Sequence, residues 1–132
     1  MILYIDTADK LTNIKLYDSQ IELTGETTFD GSFILSEELV QRIDISLDNK
    51  GFSKKDLTLV AVNVGPGSYT GVRIGVTTAN SIAFALDIPV VEIREQDDVE
   101  KVLKKSLTNK KFTSPVQPIY KNPPHITKKK VD

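Results

Sequence analysis

The first thirty residues consist of short runs in which apolar and polar side chains alternate. Residues 2–5 form an apolar, β-prone run that ends in a polar turn at residues 6–9. Alternation returns at residues 14–17 and again from residue 21 through residue 29. Alternation with a period of two is typical of strands with one face buried, so this segment predicts a three-stranded antiparallel meander.

The period then changes to that of a helix. Apolar residues recur every four positions at Leu35, Leu39, Ile43 and Leu47. Such a stripe predicts an amphipathic helix over residues 36–48.

A strand–helix–strand unit follows. Residues 57–64 are almost entirely apolar, which is typical of a strand buried on both faces. A glycine-rich loop at 65–68 ends the strand, and a helix is predicted over residues 69–86. A last strand is predicted at 90–93, with weaker helical spacing over 97–107. We therefore expect a right-handed crossover in a mixed five-stranded α/β sheet with packed helices.

The loop from Gly65 to Gly71 lies where phosphate-binding loops lie, between a buried strand and a helix. A P-loop carries a lysine after its last glycine, whereas Val72 stands here. Thr70 replaces the last glycine of the dinucleotide fingerprint, and Pro66 has no amide hydrogen to offer. Neither nucleotide-binding motif is present.

The helix after this loop carries a stripe of small residues, Gly71, Gly75, Ala79 and Ala83. Glycine costs about 1 kcal/mol in a helix interior relative to alanine, so close approach of another backbone is the expected compensation. That backbone belongs either to the same chain or to a partner. We favour a partner, because the apolar residues of the first predicted helix spread wider than one face requires. The predicted partner interface comprises Leu35, Leu39, Ile43, Leu47, Gly71, Ile74, Gly75, Thr78, Ala79 and Ile82.

Composition excludes several kinds of site. The 132 residues include no cysteine and a single histidine, His125, which lies in a proline-rich tail. Disulfides and thiolate sites are excluded, and a histidine-based metal site or catalytic triad is not expected. We therefore expect no cofactor or metal. Neither a signal peptide nor a membrane span is indicated, so we also expect a cytoplasmic protein with no membrane association.

The formal charge of −1 hides an asymmetry. Residues 1–100 hold 8 basic and 17 acidic side chains, whereas residues 101–132 hold nine lysines and one aspartate. We interpret the chain as a lobe at 1–108 and a basic, Pro/Lys-rich tail at 109–132. The tail is either a solubilising end or a segment that contacts a polyanion such as tRNA.

Residues 1–8, MILYIDTA, and 65–75, GPGSYTGVRIG, resemble the bacterial TsaB (YeaZ) family. The tail at 118–127 is also similar to the usual carboxyl end of that family. The resemblance implies a single actin-like lobe of the ASKHA, ribonuclease H-like class. This sequence departs from the family in length: members usually have two lobes, and we expect only the first lobe here.

The resemblance also implies a function. TsaB proteins are non-catalytic subunits that partner TsaD, which modifies adenosine 37 of tRNA with a threonylcarbamoyl group. TsaE, an ATPase, joins them, and TsaB alone forms homodimers through the helical surface that meets TsaD. Carried over, that surface is the pair of helices at 36–48 and 69–86.

The resemblance assigns two further sets of residues. Asp6 and Thr7 occupy the position where nucleotide-binding relatives contact phosphate or metal. The alternative function is therefore a stand-alone nucleotide-binding enzyme, an ATPase or a peptidase-like protein, with its site around these residues. The family motif also assigns a structural loop made of Gly65, Pro66, Gly67, Ser68, Gly71 and Arg73.

Overall fold

The structure is a computed structural model, and it describes residues 1–32, 36–109 and 115–120. Its strands are β1 (Ile2–Asp6), β2 (Leu11–Tyr17), β3 (Leu23–Asp30), β4 (Leu59–Gly65) and β5 (Val90–Arg94). Its α-helices are α1 (Ser36–Asp48), α2 (Tyr69–Leu86) and α3 (Val99–Asn109), and a single 3₁₀ turn covers Lys54–Asp56.

The five strands form one mixed sheet in the order β3-β2-β1-β4-β5. β1, β2 and β3 pair antiparallel as the predicted meander, whereas β4 pairs parallel with both β1 and β5. All seven residues of β4 are buried, which confirms the prediction of a strand covered on both faces.

Each face of the sheet has its own core. Leu3 and Ile5 of β1 point into the larger core, which α1 and α2 cover. Ile2 and Tyr4 point to the opposite face, where Leu103 of α3 completes a second core. Alternation along β1 therefore places α3 on the side of the sheet away from α1 and α2.

The predicted mixed five-stranded α/β fold is confirmed, and the bounds of α1 and α2 agree with those predicted. β4 begins at Leu59 instead of residue 57, because Leu57 closes the preceding 3₁₀ turn by donating its amide hydrogen to the carbonyl of Lys54. α3 lies two residues further along the chain than the weak pattern at 97–107 indicated.

Residues 115–120, here called the strap, lie on the α2 side of the sheet. The Val116 side chain is buried in the larger core, and Ile119 packs against it. The amide of Ile119 donates to the carbonyl of Val64 over 2.6 Å, and Tyr120 forms a parallel bridge with Gly67. The strap thus lies against the end of β4 and the loop that leads into α2.

Among the described helices, none combines the length and the apolar character needed to cross a membrane.

Candidate partner interface

The loop between β4 and α2 is fixed by the turn between β1 and β2. Ser68 caps α2: its Oγ accepts a hydrogen bond from the amide of Gly71 over 3.1 Å. The Ser68 amide donates to the carbonyl of Ala8 over 3.0 Å. The start of α2 is therefore tied both to its own cap and to the turn that follows β1.

The two glycines of the small-residue stripe of α2 lie against that same turn. A Cβ on Gly71 would collide with the carbonyl oxygen of Thr7, and a Cβ on Gly75 would collide with Thr7 Oγ1. The Thr7 hydroxyl donates a hydrogen bond to the carbonyl of Gly71. Both glycines thus permit the close approach that their spacing predicted, and the approaching segment belongs to the same chain.

This packing corrects the expectation that the apolar stripes of the two helices are available to a partner. The chain's own core buries Leu39, Ile43 and Leu47 of α1 completely, because α1 lies across the sheet and presents this stripe to it. Of the predicted interface residues on α2, four are buried within the protomer: Gly75, Thr78, Ala79 and Ile82. Gly71 and Ile74 are half-buried, and Leu35 lies outside the described residues.

The exposed surface of α2 is a different stripe. Arg73, Thr77, Ser81 and Phe84 are all exposed and follow one another at helical spacing. The Phe84 side chain is 90% exposed, the largest exposure among the large apolar residues described. We call these four residues the outer stripe. Apart from Arg73, which the family motif placed in the loop set, sequence reasoning assigned none of them.

A groove lies beside the outer stripe, between the first turns of α1 and α2. It has a volume of about 370 Å³. Ile74 lines it, so this residue of the predicted interface does reach the surface that the two helices share. The other residues that line the groove are Ser36, Glu37, Tyr69, Thr70, Arg73 and Thr77.

Two further exposed apolar residues lie near the far end of α1, Ile45 within the helix and Phe52 after it. Ile45 and Phe52 are exposed and line a depression of about 460 Å³. Asp44, which also lines it, forms an ion pair with Lys54 over 3.3 Å. Ile45 lies on α1 outside the stripe that faces the core, and its side chain reaches solvent.

Both candidate nucleotide-binding residues are engaged inside the lobe. Asp6 Oδ1 accepts from the amide of Ala8 over 3.0 Å, and Oδ2 accepts from the Tyr4 hydroxyl over 3.4 Å. Burial, together with the Asp6 carboxylate, raises the pKa of Tyr4 well above its usual value, which keeps this hydroxyl a donor. Thr7 is buried, and its hydroxyl is bonded to α2. These contacts hold the β1–β2 turn in place.

The remaining loop residues divide between buried and exposed positions. Gly65 has φ +102° and faces the strap, where any Cβ would meet the carbonyl of Ile119. Gly67 is buried against Ala8 and Val72, while Pro66 and Ser68 are exposed. The loop is therefore a junction between the β1–β2 turn, α2 and the strap. Within the described ranges, no three histidine, aspartate or glutamate side chains are grouped so that they could hold a metal ion.

Comparison with known families matches the middle of the chain. The family model described as TsaD, tRNA N6-adenosine threonylcarbamoyltransferase, matches residues 35–117. That range runs from the start of α1 into the strap and contains both helices of the candidate interface.

Individual relatives point the same way. The chain is 37% identical over 95 residues to the tRNA threonylcarbamoyladenosine biosynthesis protein TsaB of Bacillus subtilis, covering 67% of this chain and 38% of that protein. It is 38% identical over 58 residues to the TsaB protein of Haemophilus influenzae, covering 44% of this chain and 25% of that one. The chain therefore spans well under half the length of these relatives.

A solved structure shares the fold. It is a Pseudomonas aeruginosa protein described as similar to the peptidase YeaZ, with a TM-score of 0.64 and 25% identity. The superposition covers 70% of this chain and 42% of that one.

Proposed function

This chain belongs to the TsaB (YeaZ) family, and from that premise we propose that it is a non-catalytic scaffold subunit in the synthesis of threonylcarbamoyladenosine in tRNA. In this proposal a TsaD-type subunit carries out the transfer, and α1 and α2 provide the surface that holds it. The observation that carries the proposal is the outer stripe of α2, and above all Phe84, which extends from a rigid helix into solvent.

The chemistry of the outer stripe suits a protein partner. Aromatic and arginine side chains dominate the binding energy of protein interfaces, and Phe84 and Arg73 supply one of each. Thr77 and Ser81 between them are small, which lets a partner helix approach closely. The groove that Ile74 lines lies next to the outer stripe. A partner would therefore meet a concave surface beside the convex face of α2.

The fixed geometry of the helices also supports a scaffold. α2 is held at its first turn by Ser68 and Thr7 and along its length by the core. A surface on such an element is already in its binding conformation, so a partner need not order it on binding. A non-catalytic role agrees with the bonding of Asp6 and Thr7, whose side chains serve the turn.

The further partners belong to the same proposal. A TsaE-type ATPase would join the complex, and a second copy of this chain would occupy the α1–α2 surface when the TsaD-type subunit is absent. The lysines of the tail, such as Lys128, Lys129 and Lys130, would contact tRNA phosphates within the complex. These three lysines, like Lys110 and Lys111, lie outside the described residues.

A complementation experiment tests the function. The chain is expressed in a bacterial strain that lacks its own TsaB, and the threonylcarbamoyladenosine content of total tRNA is measured by mass spectrometry of nucleosides. We expect the wild-type chain to restore the modified nucleoside and Phe84→Asp to fail.

The matched control for Phe84→Asp is Leu11→Asp. Leu11 is 58% exposed on β2, away from both helices, so this variant also places a charge on exposed apolar surface. We expect it to restore the nucleoside like the wild type. If the wild-type chain were produced in folded form and restored none, the proposed function would be wrong.

A further inference from the structure

The strap contacts the lobe in the way that a bound peptide contacts its receptor. The Asn80 side chain on α2 forms two hydrogen bonds with one residue of the strap. Its Nδ2 donates to the carbonyl of Val116 and its Oδ1 accepts from the Val116 amide, both over 3.0 Å. A side-chain amide thus pairs with the strap backbone as a neighbouring β-strand would.

The second half of the strap adds contacts with the main chain of the lobe. The Ile119 amide donates to the carbonyl of Val64, which is close to the end of β4. Tyr120 then bridges Gly67, and its ring lies 4.4 Å from that of Tyr69 between centroids. These contacts fix the direction and the register of the strap.

The lobe also provides room that is shaped for this segment. The Val116 side chain is buried, while its neighbours Pro115 and Gln117 are exposed, so the groove distinguishes among strap positions. Gly65 has no side chain at the point where the carbonyl of Ile119 passes, and a Cβ there would collide with it. In a peptide groove the main-chain hydrogen bonds provide affinity, and a buried anchor such as the Val116 side chain provides selectivity.

We propose that the end of β4 and the Asn80 side of α2 form a binding groove for an extended peptide of the pattern Val-x-x-Ile-Tyr. Its occupant is the chain's own segment 115–120, bound as a detachable ligand. The groove recognises the same segment when it is supplied as a separate molecule. This inference rests on contacts within one chain and does not depend on the proposed function.

The test uses the full-length chain with the strap disabled by Val116→Asp, which places a carboxylate where the buried anchor stands. The probe is a fluorescent synthetic peptide of residues 115–120, titrated to millimolar concentration and followed by anisotropy. We expect saturable binding to Val116→Asp. The wild type should bind at least about tenfold more weakly, because its own strap competes at an effective concentration on the order of millimolar.

Two matched comparisons give the test its specificity. In the first comparison Asn80→Ala is added to the Val116→Asp chain. This removes both hydrogen bonds that Asn80 would form with Val116 of the bound peptide, so we expect the affinity for the peptide to fall about tenfold or more. A peptide with Gln117→Ala should bind like the parent peptide, since that side chain is exposed, whereas a peptide with Val116→Asp should not bind. A folded Val116→Asp chain that does not bind the peptide, or that binds it equally with and without Asn80, overturns the proposal.

Amide hydrogen exchange keeps the proposal testable if Val116→Asp does not fold. In the wild-type chain we expect the amides of Val116 and Ile119 to exchange at least about tenfold more slowly than in an unstructured peptide. In Asn80→Ala this protection should be lost while the amides of β4 remain protected. Unprotected strap amides in the wild type would overturn the proposal.

Discussion

Thr7 fills the space into which a side chain at Gly75 would project: a Cβ on Gly75 would collide with Thr7 Oγ1. The two residues are far apart in sequence, one in the turn after β1 and the other in the second turn of α2. Their contact brings the helix onto the end of the sheet. It also explains why α2 tolerates a glycine in its interior.

Gly75→Ala is therefore expected to destabilise the chain. Overpacking of a tight contact typically costs about 1–3 kcal/mol, which exceeds the gain of up to about 1 kcal/mol that alanine brings to a helix. Equilibrium unfolding in urea measures the difference. In the double variant with Thr7→Ala, the added methyl group gains room, so we expect the cost of Gly75→Ala to be smaller than in the wild type.

Gly71→Ala is the matched control for this cycle. Its Cβ would meet the backbone carbonyl of Thr7 and Ser68 Oγ, and neither disappears in Thr7→Ala. Thr7→Ala removes only the hydrogen bond from the Thr7 hydroxyl to the Gly71 carbonyl, so we expect it to relieve the cost of Gly71→Ala less than that of Gly75→Ala. Equal coupling of Thr7 to both glycines would contradict the contacts described here.

The sequence predicted the need for close approach at Gly71 and Gly75, and it could not say what approaches. The four-residue spacing of the glycines follows from the helix itself. The identity of the neighbour depends on how the β1–β2 turn lies over the start of α2, which is a tertiary relationship. The assignment of this stripe to a partner was wrong for that reason. The bounds of α1 and α2 depend on local periodicity and breaking residues, and they were predicted correctly.

Substitutions at Phe84 and at Leu39 should have very different effects on the free energy of unfolding. Phe84→Asp changes an exposed side chain, so the free energy of unfolding should stay within about 0.5 kcal/mol of the wild-type value. Leu39→Ala leaves a cavity in the larger core and should cost about 2–5 kcal/mol. Thermal unfolding of both variants checks this. A large loss of stability in Phe84→Asp would mean that Phe84 belongs to the core and not to a free surface.

Tyr17 makes the free energy of unfolding depend on pH in the alkaline range. Burial, and after it the carboxylates of Glu100, Glu26 and Asp98, raises the pKa of Tyr17 to about 12. Because its pKa in the unfolded chain is near 10, the unfolded state loses the proton first as pH rises. The stabilisation that protonated Tyr17 contributes to the folded chain is therefore complete below pH 10 and is lost between about pH 10 and pH 12.

Tyr17→Phe tests this dependence. The phenylalanine variant has no proton to lose at this position, so its free energy of unfolding should fall less steeply over that range than that of the wild type. Urea unfolding at several alkaline pH values measures both slopes. Identical slopes would show that the Tyr17 pKa is the same in the folded and unfolded chains.

The lysines of the tail should determine how salt affects tRNA binding. Each lysine–phosphate contact contributes roughly 0.7–0.9 to the slope of log affinity against log salt concentration. If Lys128, Lys129 and Lys130 contact phosphates, replacing them with glutamine should reduce the slope of the assembled complex by about 2 to 3. Fluorescence anisotropy with labelled tRNA at several salt concentrations measures it. An unchanged slope would leave the tail as a solubilising segment.

The outer stripe shows where sequence reasoning about the site reached its limit. Thr77 and Ser81 carry no signal in the sequence, and Arg73 was assigned only to the structural loop. Phe84 looks like a core residue because it is large and apolar. Only the orientation of α2 over β1 and β4 shows that Phe84 points outward. The contact between Asn80 and the strap could not be predicted from the sequence either. A polar residue in an apolar helix does not indicate which distant segment it binds.

If α1 and α2 hold a TsaD-type subunit, the two proteins form a complex whose mass can be measured in solution. Light scattering is recorded for the 14.7 kDa chain alone, for the TsaD-type subunit alone and for their mixture. We expect a complex whose mass contains both subunits, absent with Phe84→Asp and retained with Leu11→Asp. A mixture of folded proteins that shows only the separate masses, or a complex that survives Phe84→Asp undiminished, would contradict it.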